Sequence, residues 1–290
     1  MKSLTLIQIA DWIGGALIQG VPSQEVLSVS TDSRKAAPGD LFVALKGERF
    51  DAHKFLDDVA AAGVAAILVS SLPVESESYS GGIIRVRDTL KGLQDLAFQY
   101  RKASPDLFVV GVTGSNGKTS TKDFLSAVLS VGGRVNKTAG NLNNHIGLPL
   151  TILSGLEGDR YGVWEMGMNH PGEIEVLADI ARPNAAVITN IGTAHIEFMG
   201  TREAIAAEKA ELPGAVPAGG YCVMPGADDF YELVKNSVAC EMVPVGIGNG
   251  VVRAESLVAD SGGRMRFSLC SEFGDAVPVV LPVRGNHMVM

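Results

Sequence analysis

Apolar and polar positions along this chain fall into short blocks whose period changes from one to the next. Residues 4–13 carry apolar side chains at helical spacing, with Ser3 or Thr5 as the cap and Gly14-Gly15 as the stop. Val26–Ser30 and Leu41–Leu45 read as strands on either side of the turn Pro38-Gly39-Asp40. Phe55–Ala62 predicts a helix ended by Gly63, Ala65–Val69 a buried strand, and Ile83–Val86 another. Thr89–Lys102 predicts a long amphipathic helix with Leu90, Leu93, Leu96, Ala97 and Tyr100 on one face.

From Leu107 the blocks settle into a strand–helix rhythm. Strands are predicted at Leu107–Val112, at Tyr161–Trp164 ending on Glu165, at Ala185–Ile191, at Tyr221–Met224 and at Met242–Val245. The helices between them are predicted at Ser120–Leu129, at Gly172–Ala181, at Thr201–Ala210 with Pro213 beyond its end, and at Asp228–Val238. Such alternation implies a mostly parallel sheet covered on both faces, with ligands bound at the carboxyl ends of its strands. After Ile247 the pattern turns to short antiparallel strands, Val251–Val258, Met265–Cys270 and Val277–Val283, around the turn Ser261-Gly262-Gly263. The expected fold class is therefore α/β. A small N-terminal α/β domain (1–86) leads through a connecting helix (87–106) to a mostly parallel-sheet domain of phosphate-loop type (107–283) with a short antiparallel extension.

Composition narrows the function. Of 290 residues 46% are hydrophobic and 19% charged, enough apolar material for a substantial core. The net charge of −8 argues against non-specific nucleic-acid binding, so an anionic ligand must be held by local cations and backbone dipoles. Cys222, Cys240 and Cys270 are scattered and odd in number, which makes neither a metal cluster nor a disulfide framework. Asp11 interrupts the only N-terminal apolar stretch, and no uncharged run reaches membrane-spanning length. A cytoplasmic protein without membrane insertion is the expectation.

Candidate chemistry gathers at strand ends. Thr113-Gly114-Ser115-Asn116-Gly117-Lys118-Thr119-Ser120 follows a strand and opens a helix, the context of a phosphate-binding loop. Glycines let backbone N–H groups approach phosphate oxygens, Lys118 reaches the terminal phosphates, and the Thr119 hydroxyl ligates Mg²⁺. The loop is a variant, because Val112 stands where the common spacing has its first glycine. Glu165 is either the strand-end acid that helps hold Mg²⁺ or an ordinary polar residue closing a strand. His195, in Gly192-Thr193-Ala194-His195, is either a metal ligand or a loop histidine. Asn141, Asn143, Asn144 and His145 form either a polar cluster able to position a phosphoryl group or an ordinary turn. From the helical pattern alone Lys209 is an exposed lysine. Arg34, Lys46 and Arg49 could grip a diphosphate or be solvated loop charges.

Taken in order, these stretches resemble the Mur ligases of bacterial cell-wall synthesis. Carrying the resemblance are Thr31-Asp32-Ser33-Arg34, Gly39–Ala44, Phe50-Asp51-Ala52-His53, Thr113–Thr119, Gly140–Pro149, Glu165-Met166-Gly167-Met168, Asn190–His195 and Lys209-Ala210-Glu211. The variant phosphate loop is the one that superfamily uses, shared with folylpolyglutamate synthases. The resemblance implies a monomeric ATP-dependent amide ligase that activates a peptide carboxylate as an acyl phosphate. The implied substrates are UDP-N-acetylmuramoyl-tripeptide and D-alanyl-D-alanine. It implies ATP contacts from residues 113–120 and from His287, one Mg²⁺ held by Thr119 and Glu165, and a second metal placed by His195 and a carbamylated Lys209. It places Asn144 near the reacting phosphate, with Ser33, Arg34, Lys46, Asp51 and His53 toward the UDP group. Two departures stand out: Ala52 replaces a usual Gly and Met288 a usual Asn. By the resemblance, residues 284–290 begin a third, Rossmann-like domain that the sequence does not continue into, so a truncated form with weak nucleotide binding and poor turnover is expected. Other readings are a different amide ligase of the superfamily, a folylpolyglutamate-synthase-like ligase, and a non-catalytic nucleotide-binding fragment.

Overall fold

The computed structural model describes residues 1–47, 50–71, 79–286 and 289. They form two compact units: Met1–Phe108 with Ser126–Trp164 and Asp179–Ala181, and Val109–Leu125 with Glu165–Ala178 and Arg182–Met290.

The first unit opens with β1 (Leu4–Thr5) and α1 (Leu6–Trp12), whose cap is the Thr5 hydroxyl accepting from Gln8 N at 3.3 Å. β2 (Ala16–Gln19), β3 (Glu25–Val26), β4 (Ser28–Ser30), β5 (Asp40–Val43), α2 (Leu56–Ala61), β6 (Ala66–Val69) and β7 (Gly82–Arg85) follow. Their main sheet runs β2-β7-β6-β5-β4, with β4 to β7 parallel and β2 antiparallel at the edge. β5 and β6 are buried along their whole length and, apart from Asp40 at the start of β5, are apolar, as central parallel strands tend to be. Phe42, Leu56, Val59, Val64, Ile67 and Ile83 form the core between sheet and helix. α3 (Thr89–Lys102) matches the sequence pattern and is capped by Asp88, which accepts from Leu90 N and Lys91 N.

β8 (Phe108–Thr113) and α4 (Lys118–Leu129) flank the glycine loop. β9 (Val135–Lys137), α5 (Gly147–Leu153) and β10 (Tyr161–Glu165) come next, then α6 (Glu173–Ala181), β11 (Ala185–Ile188), α7 (Ile196–Met199), α8 (Arg202–Gly214), β12 (Tyr221–Pro225), α9 (Tyr231–Ser237) and β13 (Glu241–Ile247). β14 (Val252–Ala259), β15 (Arg264–Ser271) and β16 (Gly274–Arg284) complete the second unit, whose strand order is β16-β15-β14-β13-β12-β11-β8. β8, β11, β12, β13 and β14 pair parallel; β14, β15 and β16 pair antiparallel, so the extension has the expected form. Gly111 is required in β8, since a Cβ there would stand 2.6 Å from Leu212 Cδ1 of α8.

Several expectations need correction. α4 begins at Lys118, two residues before the expected Ser120. β11 stops at Ile188 instead of Ile191 because Thr189 to Gly192 turn toward the glycine loop. α8 runs to Gly214 and contains Pro213 rather than ending before it. In the last turn a missing N–H costs a single bond, and Leu212 and Pro213 are buried there. α9 starts at Tyr231, not Asp228, because Asp228 forms its own turn and accepts from Phe230 N at 3.0 Å. β2, β9, α5 and α7 were not foreseen; each has seven residues or fewer, too short for a periodic signal.

Candidate functional site

In the second unit the chemistry starts at the carboxyl end of β8. Thr113 Oγ1 donates to Met166 O at 2.9 Å and Met166 N to Val112 O at 2.8 Å, which sets Glu165 beside the loop. Gly114 has φ +146°, and a Cβ on it would run into the Thr189 side chain. Gly117, at φ +79°, faces open space. The loop amides divide into two groups. Ser115 N donates to Asn190 O and Oδ1 at 3.0 and 3.1 Å, and Asn116 N to Asn190 Oδ1 at 3.0 Å. By contrast, the N–H groups of Gly117, Lys118, Thr119 and Ser120 make no hydrogen bond among the described residues. Those four converge at the amino end of α4, where unpaired amides and the helix dipole favour an anion.

Around that opening stand two cations and one acid. Lys118 Nζ donates to Gly114 O at 2.8 Å, and burial lowers its pKa while the Glu165 charge opposes the shift. Thr119 Oγ1 donates to Glu165 Oε2 at 2.8 Å, and Glu165 is 3% exposed. A hydroxyl and a carboxylate this close form an oxygen pair that suits a hard divalent cation, so the donors present fit Mg²⁺. Lys209 is not the exposed helical lysine its pattern implied: it is 2% exposed. Burial first, then the Lys118 charge, push its pKa down to about 8, with Glu208 opposing. Lys209 Nζ makes no hydrogen bond or ion pair among the described residues. His195 sits at φ +64° and caps α7 through its carbonyl, leaving the half-buried ring without a hydrogen bond among the described residues.

The remaining candidates lie in the first unit. Asn144 Oδ1 accepts from Ile146 N and Gly147 N at 3.2 and 2.8 Å, starting α5, so its oxygen is engaged locally and its amide NH₂ is not. Arg34 is held by Asp32 through two bonds of 2.8 Å, and that hydrogen bonding lowers the Asp32 pKa to about 2. Ser33 begins the same short turn. Lys46 bridges to Asp51 through the backbone. His53 spends both ring nitrogens internally: Nδ1 lies 2.6 Å from Asp51 Oδ1 and Nε2 accepts from Ser70 N at 3.0 Å. The Asp51 pKa is lowered, chiefly by the His53 backbone N–H. Ala52 is buried, so its methyl group fits where glycine was expected. Arg49, His287 and Met288 lie outside the described residues.

Sequence comparison converges on the same stretches. The Mur ligase middle domain pattern matches residues 112–290, and the catalytic domain pattern of the Mur ligase family matches residues 25–101. The chain belongs to the Mur ligase family. Along its whole length it is 41% identical to the UDP-N-acetylmuramoyl-tripeptide–D-alanyl-D-alanine ligase of Bacillus subtilis, covering 62% of that protein. A crystal structure of MurF from Acinetobacter baumannii superposes with a TM-score of 0.91 at 33% identity, covering 99% of this chain and 62% of that one. The MurF ligase of Thermotoga maritima in complex with ADP gives a TM-score of 0.79 at 32% identity over 90% of this chain and 60% of that one. This Mur ligase chain thus spans a little under two thirds of the length of these relatives. Among the described residues no helix is long and apolar enough to cross a membrane.

Within the Mur ligase framework, sequence reading missed Thr189, Asn190 and Glu208. Glu208 accepts from Gly172 N and Ile174 N at 2.8 Å each, tying α8 to the start of α6. Asn190 lay inside a stretch read as strand, and neither it nor Glu208 carries a local signal for its long-range partners.

Proposed function

We propose that this chain is the substrate-binding and nucleotide-binding portion of a cytoplasmic, monomeric ATP-dependent ligase that joins D-alanyl-D-alanine to UDP-N-acetylmuramoyl-tripeptide. One arrangement carries the reading: Lys118, whose charge helps to lower the pKa of buried Lys209, stands with the unpaired loop amides beside the Thr119–Glu165 oxygen pair. Concentrated positive charge at a phosphate loop is what a reaction between two anions requires, because a carboxylate and a nucleotide phosphate repel each other.

Residues 1–86 take the role of the UDP-substrate domain, 87–106 the connecting helix, 107–283 the ATP domain, and 284–290 the start of a further domain. The free amides of Gly117 to Ser120 hold the phosphates, and Lys118 leaves Gly114 O to pair with the terminal ones. Thr119 and Glu165 hold Mg²⁺, which supplies charge neutralisation at the transferring phosphoryl group. His195 offers its ring to a second metal, and Lys209 serves that metal as a carbamate. The fit is chemical: carbon dioxide adds to a neutral amine, and Lys209 is buried with a lowered pKa. Asn144 takes the role of an acyl-phosphate residue through its amide NH₂, and Ser33, Arg34, Lys46, Asp51 and His53 that of the UDP-binding set. His287 contributes to the ATP site.

The test combines binding and turnover on this chain. Titration with Mg²⁺ and ADP is expected to give saturable binding that Lys118→Ala abolishes. Ligation is assayed with UDP-muramoyl-tripeptide, with the dipeptide and with folate as competing acceptors. Preference for an acceptor other than the tripeptide overturns the substrate assignment. Saturable nucleotide binding with no product assigns this length of chain to binding alone.

A further inference from the structure

Thr189 to Gly192 run alongside the phosphate loop and are bonded to it repeatedly. Thr189 N donates to Thr113 O at 3.0 Å, Thr189 Oγ1 to Asn116 O at 2.6 Å, and Gly192 N to Ser115 Oγ at 2.9 Å. Together with the Asn190 bonds to Ser115 N and Asn116 N, they immobilise the half of the loop whose amides do not face the opening. A short turn cannot immobilise another turn unless it is itself anchored.

Its anchors lie on the far side, at Ile191. Asp228 Oδ2 accepts from Ile191 N at 2.9 Å, and Arg202 NH2 donates to Ile191 O at 3.0 Å. Both polar groups of one peptide residue are therefore clamped by opposite charges from two different elements. Each clamp is itself secured. Asp228 Oδ1 accepts from Phe230 N at 3.0 Å, the Arg202 guanidinium lies 4.9 Å over the Phe230 ring, and Arg202 NH1 pairs with Asp229 at 2.9 Å. Arg202 Nε is buried with no partner among the described residues, so the guanidinium keeps this place at a cost its other contacts must offset.

We propose that Asp228 and Arg202 are positioning residues for the phosphate loop, acting through Ile191 and Asn190 to hold Ser115 and Asn116 so that only the Gly117–Ser120 amides are presented to a nucleotide phosphate. The inference rests on the nucleotide reading of the loop. Its logic is preorganisation: donors fixed before the ligand arrives do not lose freedom on binding.

The experiment has two arms, both on this chain. The first is amide hydrogen exchange in the nucleotide-free protein. Asp228→Ala and Arg202→Ala are expected to lower protection at Ser115 and Asn116 at least tenfold, with protection in β12 and β13 unchanged. The second is titration with Mg²⁺ and ADP, where the same variants are expected to bind about tenfold more weakly. Asp228→Asn, which keeps one acceptor, should recover part of the loss in both arms. Asp229→Ala, which removes only the exposed partner of Arg202, should change neither by more than about twofold. Arg202→Met carries the test if either alanine variant fails to fold, since it keeps much of the packing on Phe230 and removes every donor to Ile191 O. Unchanged exchange at Ser115 and Asn116 in the folded variants overturns the inference. Wild-type chain that binds no Mg²⁺ and ADP overturns the loop reading instead, and the exchange arm still decides whether the anchor exists.

Discussion

The hydroxyl of Thr119 donates to the carboxylate of Glu165 at 2.8 Å, across 46 positions of sequence. One residue opens a helix and the other closes a strand, so each oxygen is placed by regular structure rather than by a loop. Glu165→Gln and Thr119→Ala are expected to weaken nucleotide binding tenfold or more with Mg²⁺ present and to have little effect with EDTA. Calorimetric titration with ADP under both conditions checks this. Equal loss in the two conditions would assign the pair to folding and not to the metal.

The Lys118 charge helps to lower the Lys209 pKa, so removing it changes how Lys209 titrates. In Lys118→Ala the Lys209 pKa should rise from about 8 toward the ordinary lysine range, because the nearby positive charge has gone. Selective ¹⁵N labelling of lysine side chains with NMR titration reads this directly.

Burial of Lys209 also has a pH signature. Its folded pKa of about 8 lies below the ordinary lysine value of 10.5, so between these values the unfolded chain binds the extra proton. Stability therefore rises with pH through that window, and the penalty is complete below about pH 8. Lys209→Met in carbonate-free buffer is expected to stabilise the chain at pH 7 by on the order of 3 kcal/mol at most, read as a higher melting temperature. The advantage should shrink as pH climbs past 8. A gain independent of pH would mean the ammonium is not buried as a charge.

With bicarbonate present the same amine should react. ¹³C NMR with labelled bicarbonate is expected to give a carbamate resonance in the wild-type chain that is lost in Lys209→Met and grows as pH rises toward 8 and beyond. The dependence follows from the neutral amine being the reactive form. No carbamate signal at any pH in that range removes the modification from the proposal.

Glu208→Ala should destabilise without touching the nucleotide. It deprives Gly172 N and Ile174 N of their buried acceptor, a loss of about 2 kcal/mol. Chemical denaturation measures it. Glu208→Gln is expected to restore less than half, since an amide presents one accepting oxygen where the carboxylate presents two.

The regular parts of this fold were readable because they are periodic. The apolar face of α3 marks its true ends in the sequence, and a strand, two glycines and Lys118-Thr119 in order mark the phosphate loop. What escaped depends on partners far along the chain. Lys209 has neighbours that look like those of any exposed helical lysine, and only the packing of α8 buries it. Asp228 looked like a helix start, yet its carboxylate is divided between Phe230 and Ile191, and the second bond cannot be seen locally. His53 carries the side chain expected of a ligand-facing loop, and its ring is instead consumed by Asp51 and Ser70.

β16 is an eleven-residue edge strand with Val277 and Val280 exposed, the kind of border that recruits a second strand from another molecule. Pro278 and Pro282 interrupt it at positions of the same parity. Each proline removes one backbone N–H from the strand, and Pro282 lies within the register shift between Leu281 and Arg284, so a strand added at this margin would meet a broken ladder of donors. The two prolines thus weaken this long strand border of the sheet as a template for pairing with another chain.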